Sequence, residues 1–98
     1  MSFDEEELAK QLWALGDRAR LKILGLLSTG EDCKNGCNVS QIAEKLGLAQ
    51  PTVSHHLRVL RQAGIIENKK RCRDVFYWIK PSAAVAIVAA LEEILADK

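Results

Sequence analysis

Ten side chains in the second half of this 98-residue chain suit recognition of a polyanion. Gln50, Thr52, Ser54, His55, Arg58 and Arg61 come first, and Lys69, Lys70, Arg71 and Arg73 follow shortly after. Short polar groups and forked guanidiniums hydrogen-bond base edges in a major groove. Lysines and arginines neutralise phosphates and supply the salt-dependent part of affinity. A second chemistry is available in the segment EDCKNGC, residues 31–37, where Cys33 and Cys37 flank Asn35-Gly36. Asn-Gly is a strong turn dipeptide that can fold the two thiols toward each other. Soft thiolates suit arsenite, antimonite, mercury or cadmium. A reversible Cys33–Cys37 disulfide is another outcome, and a pair of idle reduced thiols is a third. Structural zinc usually takes four ligands, and no nearby histidine or third cysteine supplies them. Cys72 lies far along the chain. His55 and His56 are not a metal pair, because adjacent helical residues point about 100° apart.

The elements that must carry these groups can be read from periodicity. Residues 38–63 read as two short helices joined by a glycine turn. Asn38 and Gln41 form a capping box. Val39, Ile42, Ala43 and Leu46 then make one apolar face. Gly47 stands where a left-handed helix end wants glycine, and Leu48 anchors the turn. The second helix has Pro51 in its first turn. Val53, His56, Leu57 and Leu60 face inward, which leaves Gln50, Thr52, Ser54, His55 and Arg58 outward. Gly64 closes that helix. Residues 65–70 and 75–79 read as strands, the second aromatic and β-branched, and residues 71–74 as the turn between them. The hairpin 65–79 is a basic wing.

Charge supports the same assignment. Residues 50–80 hold seven basic and two acidic side chains, a local net charge of +5, although the whole chain is only +1. The segments before and after are each net −2, so the acidic ends would face away from a duplex.

Two terminal helices frame this unit. Residues 4–15 place Leu8, Leu12 and Leu15 on one side with Trp13 beside them. Asp17 caps a helix whose Leu21, Leu24 and Leu27 are expected inward. Residues 81–96 form a last helix with Val85, Ile87, Val88, Leu91, Ile94 and Leu95 on more than one face. A helix apolar nearly all round must be covered on most sides, and so small a chain cannot cover both ends alone. The expected assembly is a homodimer through the first and last helices. The acidic N-terminus carries no signal-peptide pattern. The longest apolar run, residues 83–91, is too short to span a bilayer. The chain is therefore expected to be cytoplasmic, without membrane contact. The expected fold class is mainly α with a small β-hairpin: a winged helix-turn-helix of about five helices and a two-stranded wing, in one domain spanning 1–98.

The blocks LGDRARL at 15–21, VSQIA at 39–43, QPTVSHHLRVL at 50–60, GII at 64–66 and VFY at 75–77 resemble the ArsR/SmtB family of winged-helix repressors. The resemblance covers about residues 5–95. It implies a dimeric repressor on double-stranded operator DNA, released when an inducer binds, often a toxic metal or metalloid ion and sometimes an oxidant or sulfur species. No obligatory cofactor is implied; As(III) or another thiophilic ion is the candidate inducer, and Cys33 and Cys37 are its candidate ligands. The chain departs from the family at several places. Asn38 and Ser40 occupy positions where many members carry cysteines. The last helix has no histidine for the zinc site of other members. Ala49 replaces the usual Ser or Thr cap, a loss of about 1 kcal/mol. Cys72 replaces a common wing glycine. The alternatives are a redox-responsive or effector-independent repressor, and a winged-helix protein-interaction module. No nucleophile–base pair, phosphate-cradling loop or complete metal site points to an enzyme.

Overall fold

The computed structural model describes residues 2–31 and 37–96. Its order is α1 (Glu5–Leu15), α2 (Arg18–Leu26), α3 (Val39–Leu46), α4 (Gln50–Gln62), β1 (Ile66–Arg71), β2 (Asp74–Ile79) and α5 (Pro81–Leu95). This is the expected mainly α chain with one antiparallel hairpin.

Local signals explain most element ends. The Asn38 side chain accepts from the Gln41 N–H at 2.8 Å, and the Gln41 side chain accepts from the Asn38 N–H at 3.0 Å. Two of the first-turn donors of α3 are thus satisfied. Glycine closes both α3 and α4 in the left-handed region, with φ of 65° at Gly47 and 77° at Gly64. The next N–H reaches back each time, from Leu48 to the Ala43 carbonyl at 3.0 Å and from Ile65 to the Leu60 carbonyl at 3.1 Å. These are Schellman ends, which turn the chain sharply after its last helical residue.

The second of these ends shifts the wing relative to expectation. The Ile65 N–H is committed to Leu60, so β1 begins at Ile66 rather than 65. At the other end the strands extend to an Arg71–Asp74 pair. The turn shrinks to Cys72 and Arg73, both with positive φ, 49° and 74°. Two consecutive positive-φ residues match the twist of a tight hairpin but favour Asn or Gly. The chain accepts that strain without either residue.

The core gathers Leu8, Ala14, Ile23, Ile42, Val53, Leu57, Leu60 and Ile66 between the helices and the base of the hairpin. One expected inward residue is not there. Leu21 is 56% exposed. The buried side of α2 runs through Arg20 and Ile23 to the C-cap Leu27, and the Ala14 carbonyl holds the Arg20 side chain inside. Leu12 lies at the exposed edge of α1, where small Ala14 is fully buried in the close approach instead. Trp78 is buried, whereas Trp13 is exposed.

Ser28, Gly30 and Cys37, between α2 and α3, pair with the free edge of β2. The Ile79 N–H donates to Ser28 at 2.8 Å, and Gly30 donates back to Ile79 at 2.9 Å. The Tyr77 N–H donates to the Cys37 carbonyl at 3.0 Å. These bonds occupy edge groups that would otherwise invite another strand, and they fix the base of the wing against α2 and α3.

Ala49 has the extended backbone of an N-cap but no side-chain acceptor. Ala49→Ser is therefore expected to stabilise the fold by about 1 kcal/mol. For a domain of this size that raises the thermal midpoint by roughly 4–8 °C. An unchanged midpoint would mean that other groups already satisfy the first turn of α4.

Candidate nucleic-acid interface

The outward face of α4 follows from its buried one. Val53, Leu57 and Leu60 are almost completely enclosed, and the 3.6-residue period then sends Thr52, His55, Arg58 and Arg61 to the opposite side. Those four and Gln50 are exposed, while Ser54 is half-buried. Gln50 already has a partner, because its Nε2 donates to Ser40 Oγ at 3.1 Å across the helix-turn-helix.

The four wing cations do not form one cluster. Lys69 and Arg71 alternate onto one face of β1 with Glu67, and Lys70 points to the other. Arg73 is exposed in the turn beside exposed Cys72. Glu31 meets two of these cations. Its carboxylate accepts from Arg71 Nη2 and lies 3.9 Å from Lys69 Nζ.

A polar joint sets α4 against the first two helices. His56 turns inward, as expected. Arg20 Nη1 lies 3.3 Å from His56 Nδ1, and since arginine carries only donors, that ring nitrogen accepts. Arg20 Nε donates to the Ala14 carbonyl at 2.6 Å. Its guanidinium also sits 5.3 Å from the centre of the Trp13 ring, within cation–π range. Asp17 caps α2 through the Arg20 N–H at 3.1 Å and lies 4.0 Å from His56 Nδ1. Arg20 is only 8% exposed. Sequence reading missed it, although one signal was present. A cation in the first turn of a helix opposes the helix dipole, so its presence calls for a partner elsewhere.

The thiols divide. Cys37 is buried, 4% exposed, with its Sγ toward the Leu26 carbonyl at 3.8 Å. Cys33, the other candidate ligand, lies outside the described residues. Among the described residues no three His, Cys, Asp or Glu side chains gather to hold a metal. No helix among them is long and apolar enough to cross a membrane.

Residues 17–68 match the family described as bacterial regulatory protein, arsR family. An uncharacterised helix-turn-helix transcriptional regulator of Methanocaldococcus jannaschii is 37% identical, over 91% of this chain and 96% of its own. This chain belongs to the ArsR family. The biofilm growth-associated repressor of Xylella fastidiosa is 33% identical over 87% of this chain and 70% of its own. In three dimensions the chain is similar to an ArsR-like transcriptional regulator from Rhodococcus, with TM-score 0.77 and 27% identity over 91% of this chain and 79% of that one. As an ArsR-family protein it is a DNA-binding transcriptional regulator with a winged helix-turn-helix, not an enzyme. The family match spans α2, α3, α4 and the start of the wing, which includes Arg20, His56 and the two Schellman ends.

The backbone N–H of Arg20 is the largest influence on the Asp17 carboxyl and lowers its pKa; burial opposes it, and the Arg20 charge adds a further lowering, so the net direction is down. A carboxyl with a lowered native pKa stabilises the fold above its unfolded value, and that contribution is lost as pH falls through the lowered one. Asp17→Asn keeps a capping oxygen and removes the charge. Its stability should therefore depend less on pH than the wild type's below about pH 4, read by denaturant melts at stepped pH. Identical pH dependence would show that the Asp17 charge does not support this joint.

Proposed function

We propose that this ArsR-family regulator is a repressor that grips duplex operator DNA with α4 and the wing, as a two-fold homodimer. The observation that carries this reading is the division of α4. One side is enclosed through Val53, Leu57 and Leu60, and the other exposes Thr52, His55, Arg58 and Arg61. The proposed contacts are Gln50, Thr52, Ser54, His55, Arg58 and Arg61 on α4, with Lys69, Lys70, Arg71 and Arg73 on the wing. Phosphate contacts would set the register, and α4 would read bases.

The dimer reading rests on apolar surface left by α1 and α5. Trp13 is 69% and Val85 71% exposed, and Val88 and Leu95 are exposed as well. Phe3, Leu8, Leu12 and Ile94 line an apolar groove between the two helices. Burying such a surface against a second copy follows from the free energy of removing apolar area from water. Two copies related by a two-fold would present their α4 helices about one DNA turn apart, roughly 34–36 Å.

For the inducer, the reading is a thiol-binding metal or metalloid such as arsenite, held by Cys33 and Cys37. The position of Cys37 suggests the coupling. Its thiol is in the core, its carbonyl takes the Tyr77 N–H of the wing, and the next residue, Asn38, caps α3. Drawing that thiol out to a metalloid would disturb both elements at once.

Arg58→Ala should weaken operator binding by about 1–3 kcal/mol, measured by fluorescence anisotropy, while sedimentation still shows the dimer. A dissociated or unfolded Arg58→Ala protein would mean that Arg58 is structural and does not face DNA. Arsenite titrated into the reduced protein–operator complex should release the wild type but not Cys33→Ser, a substitution that leaves buried Cys37 in place. Equal release from both would remove Cys33 from the sensor, and no release from either would remove arsenite.

A further inference from the structure

We propose that Glu31 is an internal competitor for phosphate, holding two wing cations on a carboxylate that DNA must displace. The inference rests on the reading of the wing as a DNA contact and adds how its grip is set. Glu31 is placed by backbone rather than by chance contact. Ser28 and Gly30 are hydrogen-bonded to Ile79 on the edge of β2, and Gly30 turns the chain with φ of 91° directly before it. The carboxylate accepts from Arg71 Nη2 and lies 3.9 Å from Lys69 Nζ. Lys69 and Arg71 are two residues apart on one strand, so both side chains rise from the same face, and one acidic group serves both.

An ionised carboxylate is acceptor-only and takes charge-assisted hydrogen bonds from guanidinium as a phosphate does. Arg71 and Lys69 therefore reach a duplex only by exchanging one anion for another. Lys70 and Arg73 make no ion pair among the described residues and face no such exchange. The wing thus has two cations of immediate electrostatic reach and two that Glu31 holds back. Moving Glu31 away from β1 would raise affinity without any change in α4.

The test uses the full chain on a duplex of arbitrary sequence, followed by anisotropy at fixed moderate salt. Glu31→Gln should tighten binding about three- to fivefold, the scale of an exposed ion pair. Glu67→Gln removes the same charge from exposed Glu67 on the same strand and should change affinity less than about twofold. In a Lys69→Ala/Arg71→Ala background, Glu31→Gln should also gain less than about twofold, as expected when the effect passes through those two cations. Equal gains from Glu31→Gln and Glu67→Gln, or an undiminished gain in the double-alanine background, would reduce Glu31 to a general charge effect and overturn the proposal. Glu31→Ser repeats the measurement with a second side chain; loss of the folded circular dichroism signal in both would assign Glu31 a structural role and overturn it equally. If the wild type binds duplex without any weakening by salt, the reading of the wing as a phosphate contact fails, and this inference fails with it.

Discussion

The burial of one side of α4 is the constraint on which the rest depends. Val53, Leu57 and Leu60 are enclosed by α1, α2, α3 and the start of β1. Burial along one stripe fixes which face of the helix is turned outward. That orientation matters because hydrogen bonds to base edges depend on direction as well as distance. The Schellman ends at Gly47 and Gly64 extend the constraint outward, one setting the entry of the chain into α4 and the other its exit into the wing.

The Arg20 joint adds direction to a packing that apolar contacts alone would leave less specific. Hydrophobic burial is non-directional. Arg20 links the Ala14 carbonyl at the end of α1, the start of α2 and His56 on α4 through hydrogen bonds of defined geometry. A largely buried guanidinium is costly unless it is fully partnered, so the joint favours one arrangement of the three helices over its neighbours. His56 and His55 show how closely this interleaves with function. Adjacent on one helix, the first is spent on the joint and the second is left facing out.

The wing is coupled to the rest of the molecule through backbone. After α2, Ser28, Gly30 and Cys37 pair with the β2 edge. Cys37 therefore has structural duties on both sides, to Tyr77 of the wing and, through Asn38, to the cap of α3. The same stretch places Glu31 beside the basic face of β1. Ser28, Gly30 and Cys37 thus tie this part of the chain to the wing, and Asn38 ties it to α3.

How much of this was legible beforehand follows the range of the interactions involved. The capping box of Asn38 and Gln41, the glycine ends, the inward stripe of α4 and the outward set from Gln50 to Arg58 are all local, and periodicity with capping chemistry revealed them. Helical periodicity, the glycine turn and the hairpin that follows carried the fold class, and the blocks at 15–21 and 50–60 added the family resemblance. In the wing, β1 starts one residue late because Ile65 answers to Leu60, and both strands run one residue further toward the turn because Arg71 pairs with Asp74. Leu21 was placed inward because counting apolar residues cannot see that Arg20 has a carbonyl waiting six residues back. Cys37 was read as one of a pair of thiols beside a turn, and its burial was not foreseen because it meets Leu26 and Tyr77, distant in sequence. Glu31 was only one acid among several until the β2 edge brought it to Arg71. The sequence by itself determined which helices form, where they stop and which face of α4 is polar, because those depend on neighbours within about one or two turns. Only the tertiary structure decided which charged groups are buried, paired or left for a partner, because those depend on contacts that no local pattern encodes.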